Sequence, residues 1–170
     1  MFRANCSISW SLKLLALVLA VALAGCGFRL RGTYEVPDSL QRLAVSSDNP
    51  YGTMTLLLKE QLRTSAVTVV DDSDAAGSGE IQLRNEVLEE RTLSLFDTGQ
   101  VAEHELLYRI DVRLRSADGE PLTQQIRIQR QYQDNPDRAL AKSREKDLLL
   151  AEMRAAAADR IIRLLATYND

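Results

Sequence analysis

Between Ile81 and Tyr132 apolar and polar residues alternate almost one for one, and this pattern restricts the chain to folds built on a long antiparallel ribbon. Side chains two apart along a strand share a face, so each run declares which of its faces is inward. Ile81, Leu83, Val87, Leu93 and Leu95 are expected inward on a first strand. Ala102, Leu106, Tyr108, Ile110, Val112 and Leu114 follow on a second, with Arg109, Asp111, Arg113 and Arg115 outward. Leu122, Ile126, Ile128 and Tyr132 continue inward on a third. Asp97-Thr98-Gly99 and Asp118-Gly119 supply short hairpin turns between them. The meander is therefore of two or three strands, each longer than the usual five or six or so residues. Such strands either reach out of the domain or expose edges that need a partner.

The flanks add helices. Leu43-Ala44-Val45 is a short first strand, and Asp48-Asn49-Pro50 is a helix-start signal with proline at the first helical position. Met54, Leu57, Leu58 and Leu62 then recur at helical spacing through Arg63, and Val67 to Val70 is β-branched and extended. Asp71 to Gly79 reads as an acidic loop. After Asn135-Pro136, the stripe Leu150, Met153, Ala157, Ile161, Leu164, Leu165 and Tyr168 marks an amphipathic helix of about 25 residues. The order predicts an α+β fold: a two-layer sandwich, a mostly antiparallel sheet with two helices packed on one face.

The N-terminus carries a different message. An apolar run from Leu12 ends in Leu23-Ala24-Gly25-Cys26, behind a basic start. Signal peptidases need small side chains before the cut, because the extended backbone lies in a narrow groove. The run supplies 13 residues with Lys13 inside it, whereas a membrane-spanning helix needs about 20. The four residues resemble the lipobox of bacterial lipoproteins. On that resemblance residues 1–25 are a lipoprotein signal peptide, and Cys26 carries diacylglycerol and an N-acyl chain as its only non-protein groups. Residues 26–40 form a lipidated tether, and 41–170 a single domain. More than one acyl chain anchors a protein stably where one alone binds marginally. Gly27 stands where an aspartate would resemble the inner-membrane retention signal, which favours the outer membrane.

Cleavage would leave 145 residues, enough for one core. It removes Arg3 and Lys13 but no acids, so 19 basic residues face 24 acidic ones, a net charge of −5. A chain this acidic is a poor bulk binder of nucleic acid or anionic bilayers, so an anionic ligand must be met by a local basic cluster. Cys6 leaves with the signal peptide and Cys26 would carry lipid, so the domain has neither a disulfide framework nor a thiolate metal site.

Catalytic patterns are missing. His104 is the single histidine, and alternation places its neighbours Glu103 and Glu105 on the opposite face. No GxSxG, HExxH or P-loop spacing occurs. Glu89-Glu90 splits across the two faces of a strand, Asp71-Asp72 lies in a loop, and neither they nor Asp134 are arranged for paired acid–base work. The basic residues carry more. Arg84, Arg91, Arg109, Arg113, Arg115, Arg127 and Arg130 dot the strands, and Lys142, Arg144 and Lys146 precede the last apolar stripe. Cross-strand pairing with Glu86, Glu89 and Glu90 accounts for some of them; guanidinium and ammonium groups also suit a phosphorylated ligand.

Cys-Gly-Phe-Arg-Leu-Arg-Gly after the lipobox resembles the mature start of the LptE family of lipopolysaccharide-assembly lipoproteins. So do Ser94 to Glu103 at the hairpin, Asp134-Asn135-Pro136, Ala139-Leu140-Ala141-Lys142 and Glu152-Met153. The likeness runs to about Leu165. It implies a non-enzymatic outer-membrane lipoprotein facing the periplasm, seated one-to-one as a plug in the lumen of the LptD barrel. It also implies lipopolysaccharide binding through basic residues, helping delivery to the outer leaflet. Lys142 falls on the matching lysine and is the expected ligand residue. Asp97 departs from the pattern, since relatives can carry arginine at the hairpin tip; nearby Arg91 is the expected substitute. Two other functions compete: a scaffold lipoprotein of another envelope assembly machine, and a lipoprotein hydrolase, which the absent nucleophile–base pair disfavours.

Overall fold

The computed structural model describes Trp10 and residues 36–71, 74–135 and 138–168. The signal peptide, Cys26, the tether through residue 35, Asp72 and Pro136 lie outside the described residues, apart from Trp10. Strands β1 (Arg42–Ser47), β2 (Thr68–Val70), β3 (Gly79–Leu95), β4 (Val101–Arg115) and β5 (Leu122–Gln133) form one sheet in the order β2-β1-β3-β4-β5. Helix α1 (Thr53–Thr64) joins β1 to β2, and α2 (Ala139–Ala166) follows β5. The sheet is mixed. β1 runs parallel to β2 and to the first five residues of β3, while the long β3–β4–β5 part is antiparallel.

Both helices bury their apolar stripes in one cluster with the sheet, so they share a face. Met54, Leu58 and Leu62 of α1 and Met153, Ala157, Ile161 and Leu165 of α2 meet Ile81, Leu83, Leu106, Tyr108, Ile110 and Val112. Each fully buried large side chain contributes roughly 1.5–3 kcal/mol. Tyr168, just past α2, donates its hydroxyl proton to the Glu120 carbonyl at 2.7 Å and ties the chain end to the β4–β5 turn.

Three expectations need correction. The Asp48-Asn49-Pro50 signal does not open α1; Asn49 to Gly52 is a turn closed by the Gly52 N–H on the Asn49 carbonyl, and the helix starts at Thr53. Buried Thr55 bonds Ser47 Oγ and the same carbonyl, so a side chain in the first turn of the helix holds that loop. Val87, Leu93 and Leu95 are not inward either: they are 39%, 45% and 59% exposed. For Val87 the cause is Asn85, whose φ of 52° marks an extra residue between Arg84 and Val87; Leu93 and Leu95 lie at two further register shifts, between Thr92 and Leu95. One added residue exchanges the two faces of the strand up to the next shift, here from Val87 to Thr92. Val87 therefore lies opposite Arg109, and Leu88 and Glu90 take the helix-facing positions opposite Tyr108 and Leu106. Leu122, also expected inward, is 39% exposed at the start of β5.

β1 pairs with β3 only through Leu83. Beyond Asn85 the sheet continues as three strands, with α2 reaching along it.

Candidate functional site

The extension past Asn85 presents two carboxylates, Glu86 and Glu90, to α2. Four strand residues span about 13 Å, and eight helical residues about 12 Å, so the two elements share a repeat. Arg154 and Lys146, eight apart, meet those acids. Arg154 Nε lies 3.1 Å from Glu86 Oε1, which also accepts the Tyr108 hydroxyl at 3.0 Å. Lys146 Nζ is bonded to Glu90 Oε2.

Glu90 is the centre of a larger cluster. Its Oε1 accepts the Tyr132 hydroxyl at 2.7 Å, and the Tyr132 ring stacks on His104 with centroids 5.2 Å apart and planes 16° off parallel. His104 Nδ1 lies 3.2 Å from the same oxygen but off the hydrogen-bond direction, so that contact is electrostatic. Its Nε2 is 3.5 Å from Asp134 Oδ2. Burial alone would raise the Glu90 carboxyl; hydrogen bonds from Lys146 and Tyr132 and the charges of Lys146 and His104 outweigh it and hold the group below its ordinary range. Burial, then the bond to Glu90 and the charges of Glu90, Asp134 and Glu145, push the Tyr132 hydroxyl up.

Lys142 stands one helical turn before Lys146 at the rim of this cluster. It lines an open cavity of about 290 Å³ with Glu103, Gln131, Tyr132, Gln133 and Glu145. Its ammonium meets Glu145 Oε2 at 2.8 Å, an i,i+3 pair with side chains 21% and 45% exposed. Such pairs contribute only a few tenths of a kcal/mol or so. Arg144 is exposed and makes no ion pair among the described residues.

Arg91 is elsewhere. It pairs with Glu105 in the β3–β4 register, on the sheet face without helices, and bonds Glu89 at 2.9 Å. The same Glu89 holds Arg109. Lys142 and Arg91 are thus not brought together. Asp97 is exposed in the hairpin turn, which closes by the Gly99 N–H donating to the Phe96 carbonyl and the Phe96 N–H donating to the Gln100 carbonyl, both at 2.8 Å, with Gly99 at φ 81°.

The sequence reading missed the His104–Glu90–Tyr132–Lys146 cluster. It separated His104 from Glu103 and Glu105 correctly, but the partners come from β3, β5 and α2. A signal existed: alternation gives His104, Leu106 and Tyr132 the same inward face. Among the described residues no three His, Cys, Asp or Glu side chains converge to hold a metal ion.

A family model described as LptE, Lipopolysaccharide-assembly, matches residues 40–165. The LPS-assembly lipoprotein LptE of Pectobacterium atrosepticum is 36% identical over 160 residues, covering 92% of this chain and 87% of the relative. That of Photorhabdus laumondii is 35% identical over 161 residues, covering 93% and 88%. Among solved structures, rare lipoprotein B of Shewanella oneidensis superposes with a TM-score of 0.68 at 42% identity, over 74% of this chain and 94% of that one. A match spanning nearly the whole domain, in sequence and in fold, leaves one conclusion: the chain belongs to the LptE family of lipopolysaccharide-assembly lipoproteins, whose members are not enzymes.

Proposed function

We propose that the protein is an outer-membrane lipoprotein, anchored through acylated Cys26, that plugs the LptD barrel and contacts lipopolysaccharide through Lys142 during its delivery to the outer leaflet. One observation carries the ligand assignment. Lys146, Arg154 and Arg109 are each committed to a carboxylate that joins elements of the fold. Among the described residues Lys142 is held only by a neighbour on its own helix, beside an open cavity. It can exchange Glu145 for a phosphate without releasing α2, and a phosphate offers a stronger charge-assisted partner. Arg91 would make an independent contact from the helix-free face. Support for the plug comes from that same face, which is rich in arginine and glutamine and suits the polar interior of a barrel.

The test uses full-length protein purified in mild detergent. Lys142→Glu should weaken lipopolysaccharide binding about tenfold or more, with unchanged thermal stability and unchanged co-purification of the barrel. Binding equal to the parent would refute the ligand assignment. Failure to recover any barrel with the parent protein, or an unacylated Cys26 peptide by mass spectrometry, would refute the plug and anchor.

A further inference from the structure

The free edge of β5 has a defined polarity. β4 and β5 pair without a register break from Glu103↔Gln133 to Leu114↔Leu122. In an antiparallel ladder alternate residues turn both backbone groups toward one neighbour. The Asp134 N–H bonds the Ala102 carbonyl, so even-numbered residues bond inward to β4. The carbonyls of Arg127 and Gln129 point the other way, because Arg160 of α2 bonds the first at 2.8 Å and Arg130 bonds the second at 2.9 Å. Thr123, Gln125, Arg127, Gln129, Gln131 and Gln133 therefore present their backbone groups outward, with no strand beyond them among the described residues.

That edge runs beside two open cavities under the overhang of α2. One, about 360 Å³, is lined by Gln124, Gln125, Arg160 and Thr167 among others; the second is the 290 Å³ cavity at Gln131 and Gln133. The strand itself, Leu122–Gln133, contains five glutamines, two arginines and no acid or proline. Long unprotected edges invite pairing. Among the described residues the groups on these outward carbonyls are the guanidiniums of Arg160 and Arg130, which a partner bearing carboxylates can draw away.

We propose that the outward edge of β5 is a strand-docking surface for an extended, acid-bearing segment of another polypeptide. Its backbone would take the outward groups from Gln125 to Gln131, and its carboxylates would receive Arg127, Arg130 and Arg160. A second copy of this chain is the wrong occupant: β5 carries two arginines and no acid, so a strand paired with its own copy brings no carboxylate to Arg127, Arg130 or Arg160. The surface stands apart from lipopolysaccharide binding and does not depend on Lys142.

The probe is a capped ten-residue peptide of alternating threonine and glutamate, with a lysine-for-glutamate version as control, added to the full-length protein in detergent. The acidic peptide should bind at least tenfold tighter than the basic one. It should slow amide exchange at Gln125, Arg127, Gln129 and Gln131, leaving the already bonded Ile126, Ile128 and Arg130 unchanged. Gln129→Pro removes one outward donor, and edge strands tolerate proline; it should weaken binding about tenfold. N-methylating alternate residues of the peptide should do the same with no change to the protein. Equal binding of the two peptides would overturn the proposal. So would protection without the alternation, outward amides already slow in the free protein, or a concentration-dependent dimer lost in Gln129→Pro.

Discussion

Replacing Gly79 by alanine adds one methyl group at a crowded backbone position of the sheet. Gly79 opens β3 beside β1, and a Cβ built there would lie 2.9 Å from Leu40 Cδ2, 2.9 Å from Leu43 Cδ2 and 3.0 Å from the Arg115 carbonyl oxygen. Leu40 and Leu43 are both fully buried, and the third neighbour is backbone. None can swing into solvent. Overpacking of this kind costs about 1–3 kcal/mol. An opposing gain of about 0.4–1 kcal/mol comes from the stiffer unfolded chain, since this glycine does not use a left-handed conformation. The net expectation is a loss of roughly 1–2 kcal/mol, or about 3–8 °C in Tm for a domain of this size. Thermal unfolding of the detergent-solubilised protein by circular dichroism measures it. Leu43→Val removes one of the obstructing methyls, so Gly79→Ala should cost less in that background, by about 0.5–1 kcal/mol of coupling. A Gly79→Ala protein as stable as its parent would refute the claim that this junction has no room.

The cluster and the bulge make two further predictions. Because the folded Glu90 carboxyl is held below its ordinary 4.5, its contribution is fully present above the unfolded pKa and is lost as pH falls through the folded value. Glu90→Gln should therefore cost about 1 kcal/mol at pH 7, with the difference from the parent shrinking below pH 4.5, as read from urea unfolding at several pH values; a difference that grew in acid would contradict the ion-pair account. Asn85 bonds Asp111 Oδ2 at 2.9 Å, while its own N–H bonds Asp48 Oδ2 at 3.0 Å from a left-handed backbone. Asn85→Ala should lose about 1–3 kcal/mol, combining the lost bond with backbone strain, and Asn85→Gly, which relieves the strain, should lose less; the reverse order in chemical denaturation would show that the bulge does not need its turn.

Much of the candidate site was within reach of the sequence, and the reason differs by residue. Lys142 could be named as a candidate because the Ala139-Leu140-Ala141-Lys142 segment resembles that of the family. Glu89 and Glu90 could be sent to opposite faces because two consecutive strand residues must separate. What could not be read is which partner each would meet, since Glu90 takes its bonds from Tyr132, 42 positions on, and Lys146, 56 positions on. Arg91 illustrates the same limit: its strand was evident, but its face was not, because that depends on the bulge before it.

Periodicity by itself determined the strands, the two helices and most of the core, for burial of one apolar face is a local property repeated along the chain. The sequence likewise places both cysteines, Cys6 and Cys26, ahead of the folded domain. Only the tertiary structure decided the rest. One residue in the left-handed region at Asn85 exchanged the faces of β3 from Val87 to Thr92, exposed Val87, and aimed Glu90 at α2. The parallel seating of β1 beside β3 set the crowding at Gly79, and the strand order left β5 with an open edge. Each is a choice among long-range pairings, and the energy that selects between them comes from residues dozens of positions apart, where no local pattern reports it.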